Sequence, residues 1–418
     1  MRFRHPDGST VHLAYCTNVH PAETLDGVLA QLRDHCEPVR KRLGRDRLGI
    51  GLWLARAAAR VLTVDPSALR LLRKELDSRG LEVVTLNGFP YEGFGDSDVK
   101  YRVYRPDWTE PARLEYTADL ARLLTALLPD DVAEGTISTL PLAWRTNFDD
   151  HRRTTALDAL RTLAARLDAL QDTTGRSVRV GLEPEPGCTV ETLADALDAL
   201  TGEPGVPAHR IGVCVDTCHL ATSFEEPGPA LDALDRAGIP VVKSQLSAAL
   251  HAEHPERADV RAALAAFAEP RFLHQARTRT ADGVLLATDD LDEALGRREE
   301  APGQEGGALG QEGDDGALGL PTGLPTGTPW RAHFHVPLHA PPQPPLTSTL
   351  PVLQDTLARL VGPAAPPRTH HLEVETYTWQ ALPPELRPRT RARLADGIAA
   401  ELALARDLLT DLGLKELP

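Results

Sequence analysis

Short apolar runs alternate along this chain with longer stretches in which apolar residues recur every three or four positions. The short runs are Val11–Thr17, Leu48–Leu54, Leu81–Leu86, Gly135–Leu140, Val178–Glu183, Ile211–Asp216, Pro240–Gln245 and His371–Thr376. Each has the length and the bounding turn residues of a strand. The longer stretches are Ala22–Leu43, Pro66–Ser78, Arg113–Leu128, Thr154–Gln171, Thr189–Leu200 and Pro229–Ala237, with a closing one at Pro388–Leu412. Leu160, Leu163, Leu167 and Leu170 show the helical spacing clearly.

Strand–helix alternation predicts parallel strands, because each crossover helix returns the chain to the same edge of the sheet. Eight such strands with a helix after the last predict an α/β fold, a (β/α)8 TIM barrel. An open doubly wound sheet competes. It would want a glycine-rich loop after the first strand, where the chain reads Cys16-Thr17-Asn18-Val19-His20-Pro21. The barrel is expected to be a single domain, with seven strands in residues 1–296 and the last strand and closing helix in 330–418. Residues 297–329 break the pattern with Gly, Glu, Pro and Asp and with near-repeats such as Leu-Pro-Thr-Gly at 320 and again at 324. Such a segment has too little apolar surface to offset its ordering entropy and is expected to be a disordered insertion.

In a barrel of this kind chemistry sits at the C-terminal ends of the strands, and polar residues gather there. Tyr15 and Asn18 follow the first strand, Asn87 the third, Trp144 and Arg145 the fourth. Glu183 and Glu185 follow the fifth, Asp216 and His219 the sixth, Lys243 and Gln245 the seventh, and Glu373 and Glu375 the eighth. Alternation turns Glu183 and Asp216 away from Val180, Leu182, Val213 and Val215, into the barrel. Beneath them stand Gly181 and Cys214, whose small size is expected to leave room for a ligand.

Carboxylates converging on one cavity repel one another unless they share a cation or a proton. A divalent ion, Mn²⁺, Mg²⁺, Co²⁺ or Zn²⁺, is the economical partner for oxygen and nitrogen donors of these types. Ion pairing with arginine or lysine is the competing explanation, evenly matched for Glu373. His333 and His335 alternate in Ala332-His333-Phe334-His335 and so face one side, as a ligand pair or as a solvated edge. His219 stands three residues after Asp216, where it either touches substrate or caps a helix. Arg145 either holds an anionic group or lies on the surface.

The totals narrow the partners. A net charge of -15 argues against a broad phosphate-binding face and so against nucleic acid. No apolar run approaches membrane-spanning length, the first residues lack a signal-peptide core, and five cysteines match no zinc-ribbon spacing. A cytoplasmic protein with a small-molecule metabolite as partner is expected.

At the strand ends the chain resembles the xylose isomerase-like TIM-barrel superfamily, which holds sugar epimerases and endonuclease IV-type enzymes. The matching residues are Glu183, the Asp-x-x-His of Asp216 and His219, and Glu375. More narrowly, Thr85-Leu86-Asn87-Gly88-Phe89-Pro90-Tyr91, Lys243-Ser244-Gln245-Leu246-Ser247 and His371-Leu372-Glu373-Val374-Glu375-Thr376 are similar to the EboE metabolite traffic proteins of a bacterial secondary-metabolite operon. The resemblance implies a metal held by Glu183, Asp216, Gln245 and Glu375, completed by His333 or His335. Proton transfer by Glu183 and Glu375, with His219 assisting, is expected, and the strand-end residues Asn18, Asn87, Trp144, Arg145 and Lys243 are expected to contact substrate. Association with other products of that operon is implied as well.

Two departures stand out. Gln245 occupies a place where epimerases of the superfamily carry a metal-binding histidine, and Glu185 the place of the catalytic lysine of xylose isomerases proper. The chain is therefore expected to be a metal-dependent isomerase or epimerase other than an aldose isomerase of that form. A non-catalytic carrier and a metal-dependent phosphoester hydrolase are the alternatives.

Overall fold

The computed structural model describes residues 1–297 and 323–418. Residues 298–322, most of the expected disordered insertion, lie outside the described residues. The eight expected strands are all present, none of their ends displaced by more than two residues. In chain order they are β2 (Thr10–Cys16), β3 (Leu48–Trp53), β4 (Leu81–Asn87), β5 (Glu134–Thr139), β6 (Ser177–Leu182), β7 (Ile211–Asp216), β8 (Val241–Leu246) and β14 (His371–Val374), after a short β1 (Arg2–Arg4). All eight run parallel in sequence order, and β14 pairs with β2 as well as with β8, which closes the barrel. At the seam Leu372 lies beside Leu13 on one side and Ser244 on the other.

Helices return the chain between strands. The longest, Asp150–Thr174, is capped by the Asp149 side chain and ends at Gly175, whose φ of 71° a residue with a Cβ would adopt at a cost. Its buried face is Leu157, Leu160, Leu163 and Leu167. The expected helix at Ala22–Leu43 is interrupted by one wider turn at Leu32–Cys36, and that expected from Thr189 begins only at Leu193, where Thr192 and Asp195 form a capping box. Two further amphipathic helices, Arg56–Val64 and Leu350–Val361, lie outside the expected set.

Between β8 and β14 the chain leaves the barrel earlier than the expected boundary at 297. The strands β9 (Leu250–Ala252), β10 (Ala276–Arg279), β11 (Leu285–Thr288), β12 (Trp330–Ala332) and β13 (Thr347–Ser348) form an antiparallel sheet in the order β11-β10-β12-β9-β13. These strands are too short for a period of two to show in the sequence.

Inside the barrel, the Lys243 ammonium meets the Glu373 carboxylate, and both side chains are wholly buried. A Cβ on Gly51 would stand 1.8 Å from Glu373 Oε1, so the bare backbone of β3 is what admits the carboxylate. Gly181 serves differently from expectation. A Cβ there would meet the neighbouring strand at Cys214 N, 2.7 Å away, so its smallness lets β6 and β7 approach and opens no room for a ligand. Among the described residues no helix is long and apolar enough to cross a membrane.

Candidate metal centre

The ends of β6, β7 and β14 place Glu183, Asp216 and Glu375 so that one carboxylate oxygen of each lies within 4.8 Å of the others, all buried. Asp216 caps the helix Thr217–Thr222. Its Oδ1 accepts from the backbone amides of Cys218 (2.7 Å) and His219 (3.0 Å) and from the Ser247 hydroxyl (2.7 Å). Its Oδ2 is buried without a hydrogen-bond partner, as is Glu183 Oε2. Glu375 is anchored instead. Its Oε1 accepts from the side-chain amides of Asn18 at 2.6 Å and Asn87 at 2.8 Å.

Burial and the mutual repulsion of Glu375, Asp216 and Glu185 push the Glu183 carboxyl well above its ordinary range. Glu375 is raised in the same way, by burial and then by Asp216 and Glu373. For Asp216 burial acts upward too, but the His219 and His335 imidazoles, the Ser247 hydroxyl and the His219 amide outweigh it and hold the carboxyl below its usual value. Two carboxyls that favour protonation beside one that favours charge make a site in want of a cation.

A second group of donors lies against the first. His219 Nδ1 faces the Pro184 carbonyl at 2.8 Å, His333 Nδ1 the Gln275 Oε1 at 2.7 Å, and His335 Nδ1 the Glu375 carbonyl at 2.7 Å. An oxygen of that kind only accepts, so each Nδ1 carries the hydrogen and each Nε2 turns a lone pair inward. Those lone pairs meet: His333 Nε2 is 3.1 Å from His219 Nε2 and 3.2 Å from His335 Nε2. Glu185 Oε2 stands 3.2 Å from His219 Nε2, while its Oε1 accepts from the Tyr104 hydroxyl at 2.9 Å. Acceptors packed this closely repel unless a proton or metal ion lies among them, and imidazoles held by a carbonyl at the far nitrogen are the usual form of metal-ligating histidine. The orphaned Glu183 and Asp216 oxygens and this nitrogen set fit a divalent ion such as Zn²⁺, Mn²⁺ or Co²⁺.

The loops that carry these groups are tied together from behind. Glu401, buried on the closing helix Arg391–Asp411, accepts from the Leu338 amide (2.9 Å), the Thr376 hydroxyl (2.7 Å) and the Trp379 indole (3.1 Å). The Thr378 hydroxyl donates to the His335 carbonyl. Burial raises the Glu401 carboxyl to about 7.

The remaining expected site residues fall into four places. Asn18 and Asn87 line the pocket above the carboxylates, with their amides engaged by Glu375. Gln245 is wholly buried beside Asp216 in register, its Oε1 3.3 Å from Cys214 Sγ and its Nε2 without a partner. Lys243 is held below the site by Glu373. Trp144 lines a separate depression together with Asp289, and Arg145 binds that Asp289 at 2.6 Å and stacks on Trp144. Glu185, Tyr104, Gln275 and Tyr377 also reach the centre. Of these only Glu185 carried a signal in the sequence, as a strand-end acid; Tyr104 and Tyr377 lie in short 3-10 turns and Gln275 in the loop just before β10, where no periodicity points inward.

A family model described as xylose isomerase-like TIM barrel matches residues 45–269. Glu183, Asp216 and His219 lie within the match; His333, His335 and Glu375 lie beyond it. No curated protein matches the chain. Similar solved structures include an IolI protein with a bound zinc atom, at 12% identity over 96% of this chain and 97% of that one, TM-score 0.46. A 3-keto-D-glucoside 4-epimerase from E. coli is 19% identical over 56% of this chain and 79% of its own, TM-score 0.36. An AP endonuclease of family 2 from Brucella melitensis is 15% identical over 56% and 78%, TM-score 0.36. Likenesses of this degree carry no weight for function.

Proposed function

The chain belongs to the xylose isomerase-like TIM-barrel family, and on that footing we propose that it is a divalent-metal-dependent isomerase or epimerase of a small hydroxylated carbonyl metabolite. The observation that carries this is the convergence of Glu183, Asp216 and Glu375 with two of their buried oxygens unpartnered. Glu183, Asp216 and Glu375 would hold the ion, with Gln245 beside them and His219, His333 and His335 supplying nitrogen donors. Once bound, the ion supplies Lewis-acid polarisation of adjacent substrate oxygens.

The protein's own groups do the rest. Glu183 and Glu375 come from strands on different sides of the barrel, β6 and β14, so they can address opposite faces of a substrate. One takes a proton from the carbon next to a carbonyl and the other returns it, a task suited to carboxyls whose affinity for protons is raised by burial. Asn18 and Asn87 fix Glu375 from one side, leaving Glu183 the freer of the two. His219, donating from Nδ1 to Pro184, keeps Nε2 available as an acceptor at the pocket.

Within the family, the EboE metabolite traffic proteins are the narrower group we assign it to, on the strand-end segments at 85–91, 243–247 and 371–376. A carrier that holds the same metabolite without turning it over is the second reading, favoured by Gln245, a weaker ligand than the histidine it stands for. The experiment is exchange of solvent deuterium into candidate hydroxy-carbonyl metabolites by the metal-loaded protein. Exchange that disappears in Glu183→Gln and Glu375→Gln supports the isomerase; binding with no exchange in the unaltered protein replaces it with the carrier.

A further inference from the structure

The pocket above the carboxylates is built in two layers. Its floor is polar: Glu183, Glu185, Glu375, Asn18 and the histidines. Its upper wall is a cluster of three rings packed on one another from three separate segments, Phe94 from the loop after β4, Phe272 from the stretch between β9 and β10, and Tyr377 after β14. Their centroids are 5.3 Å apart for Phe94 and Phe272, 5.5 Å for Phe94 and Tyr377, and 5.0 Å for Phe272 and Tyr377. The boundary between the layers is marked by two phenols. Tyr104 sends its hydroxyl down to Glu185, and the Tyr377 hydroxyl is 3.5 Å from His333 Nε2. Above them Phe94 and Phe272 offer no polar atom, and Val99 and Leu273 continue the apolar wall.

Charge on the wall excludes one class of ligand. Three carboxylates line the pocket, and its one lysine, Lys100, binds Asp290 through Nζ at 3.1 Å. Arg145 binds Asp289 outside the pocket. A phosphate entering here would meet three carboxylates, while Lys100 and Arg145 are each already bound to an aspartate. A small polyol alone would satisfy the floor but would set its outer hydroxyls against rings that cannot hydrogen-bond them.

We propose that the pocket takes an uncharged amphipathic metabolite, its hydroxylated or carbonyl head on Glu183, Glu185 and Glu375 and an apolar substituent laid against the packed rings of Phe94, Phe272 and Tyr377 and the adjoining Val99 and Leu273. The assignment rests on the metal-dependent isomerase reading and names its substrate class. The test compares methyl β-D-glucoside, phenyl β-D-glucoside and glucose 6-phosphate by calorimetric titration of the full chain loaded with Mn²⁺. The phenyl compound is expected to bind about tenfold tighter than the methyl compound, the increment of one well-buried ring, and the phosphate weakest. Phe94→Ala and Phe272→Ala are expected to bring the phenyl-to-methyl ratio close to one. Phe94→Leu, which keeps an apolar side chain in place, is expected to retain part of it if alanine unsettles the loop. Equal affinity for the two neutral probes, tighter binding of the phosphate, or binding of none of the three overturns the assignment. Manganese content of the same preparation tests the centre separately: full occupancy without the phenyl preference sinks the substrate class alone, whereas a chain that takes up no metal sinks the function beneath it.

Discussion

The side-chain amide of Asn18 donates to Glu375 Oε1 at 2.6 Å across 357 positions of chain. The bond spans the seam of the barrel, from the loop after β2 to the end of β14, and so joins closure of the fold to the aim of a site carboxylate. Asn18→Ala and Asn87→Ala are each expected to weaken metal binding by about 10- to 100-fold, the usual cost of losing a group that orients a ligand. Chelator competition reads the affinity. Unchanged affinity in the double variant would show that Glu375 needs no such anchor.

Replacing His333 with alanine removes the imidazole that stands between the other two. Metal per chain after dialysis, measured by elemental analysis, is expected to fall, and His335→Ala to behave alike. If both variants keep the metal content of the parent protein, the nitrogen set holds no ion.

Lys243 and Glu373 bury opposite charges beneath the site. Lys243→Met leaves the carboxylate alone in the barrel interior and is expected to cost about 3–5 kcal/mol of stability. The double change Lys243→Met with Glu373→Leu removes the orphaned charge and is expected to recover most of that. Denaturant unfolding of the two proteins checks it; equal loss in both would mean that the cost is packing and not charge.

Glu401 gives a pH signature. Its folded-state carboxyl is raised by burial from 4.5 to about 7, so the folded protein holds that proton more tightly than the unfolded chain. The associated stability is fully present below pH 4.5 and is lost as pH rises through 7, by roughly 3 kcal/mol for a shift of this size. Glu401→Gln cannot titrate, and unfolding curves across that window are expected to be flatter than those of the parent protein. Parallel pH profiles would assign the titration to another group.

The barrel was legible because its signal is periodic. Each strand of the eight buries a run long enough to show, and the helix at Asp150–Thr174 repeats its leucines over several turns. Glu183, Asp216 and Glu375 were legible for a related reason: an acid in phase with the interior of a strand is conspicuous against its apolar neighbours. Gln275, Tyr104 and Tyr377 were not, because they act from a loop and from single 3-10 turns, where phase carries no information. Lys243 shows the limit from the other side. Phase placed it inside the barrel, but whether it meets substrate or Glu373 depends on which residue of β14 lies beside β8, and a register between strands so far apart in the chain is not written in either one.

His333 and His335 hang from the excursion sheet, while their partners hang from the barrel. An ion shared among them would act as a rivet between two bodies of the fold. Its removal would then loosen more than a ligand sphere: protection of β9 and β12 from hydrogen exchange should rise and fall with metal concentration, although His333 and His335 lie beyond the ends of both strands.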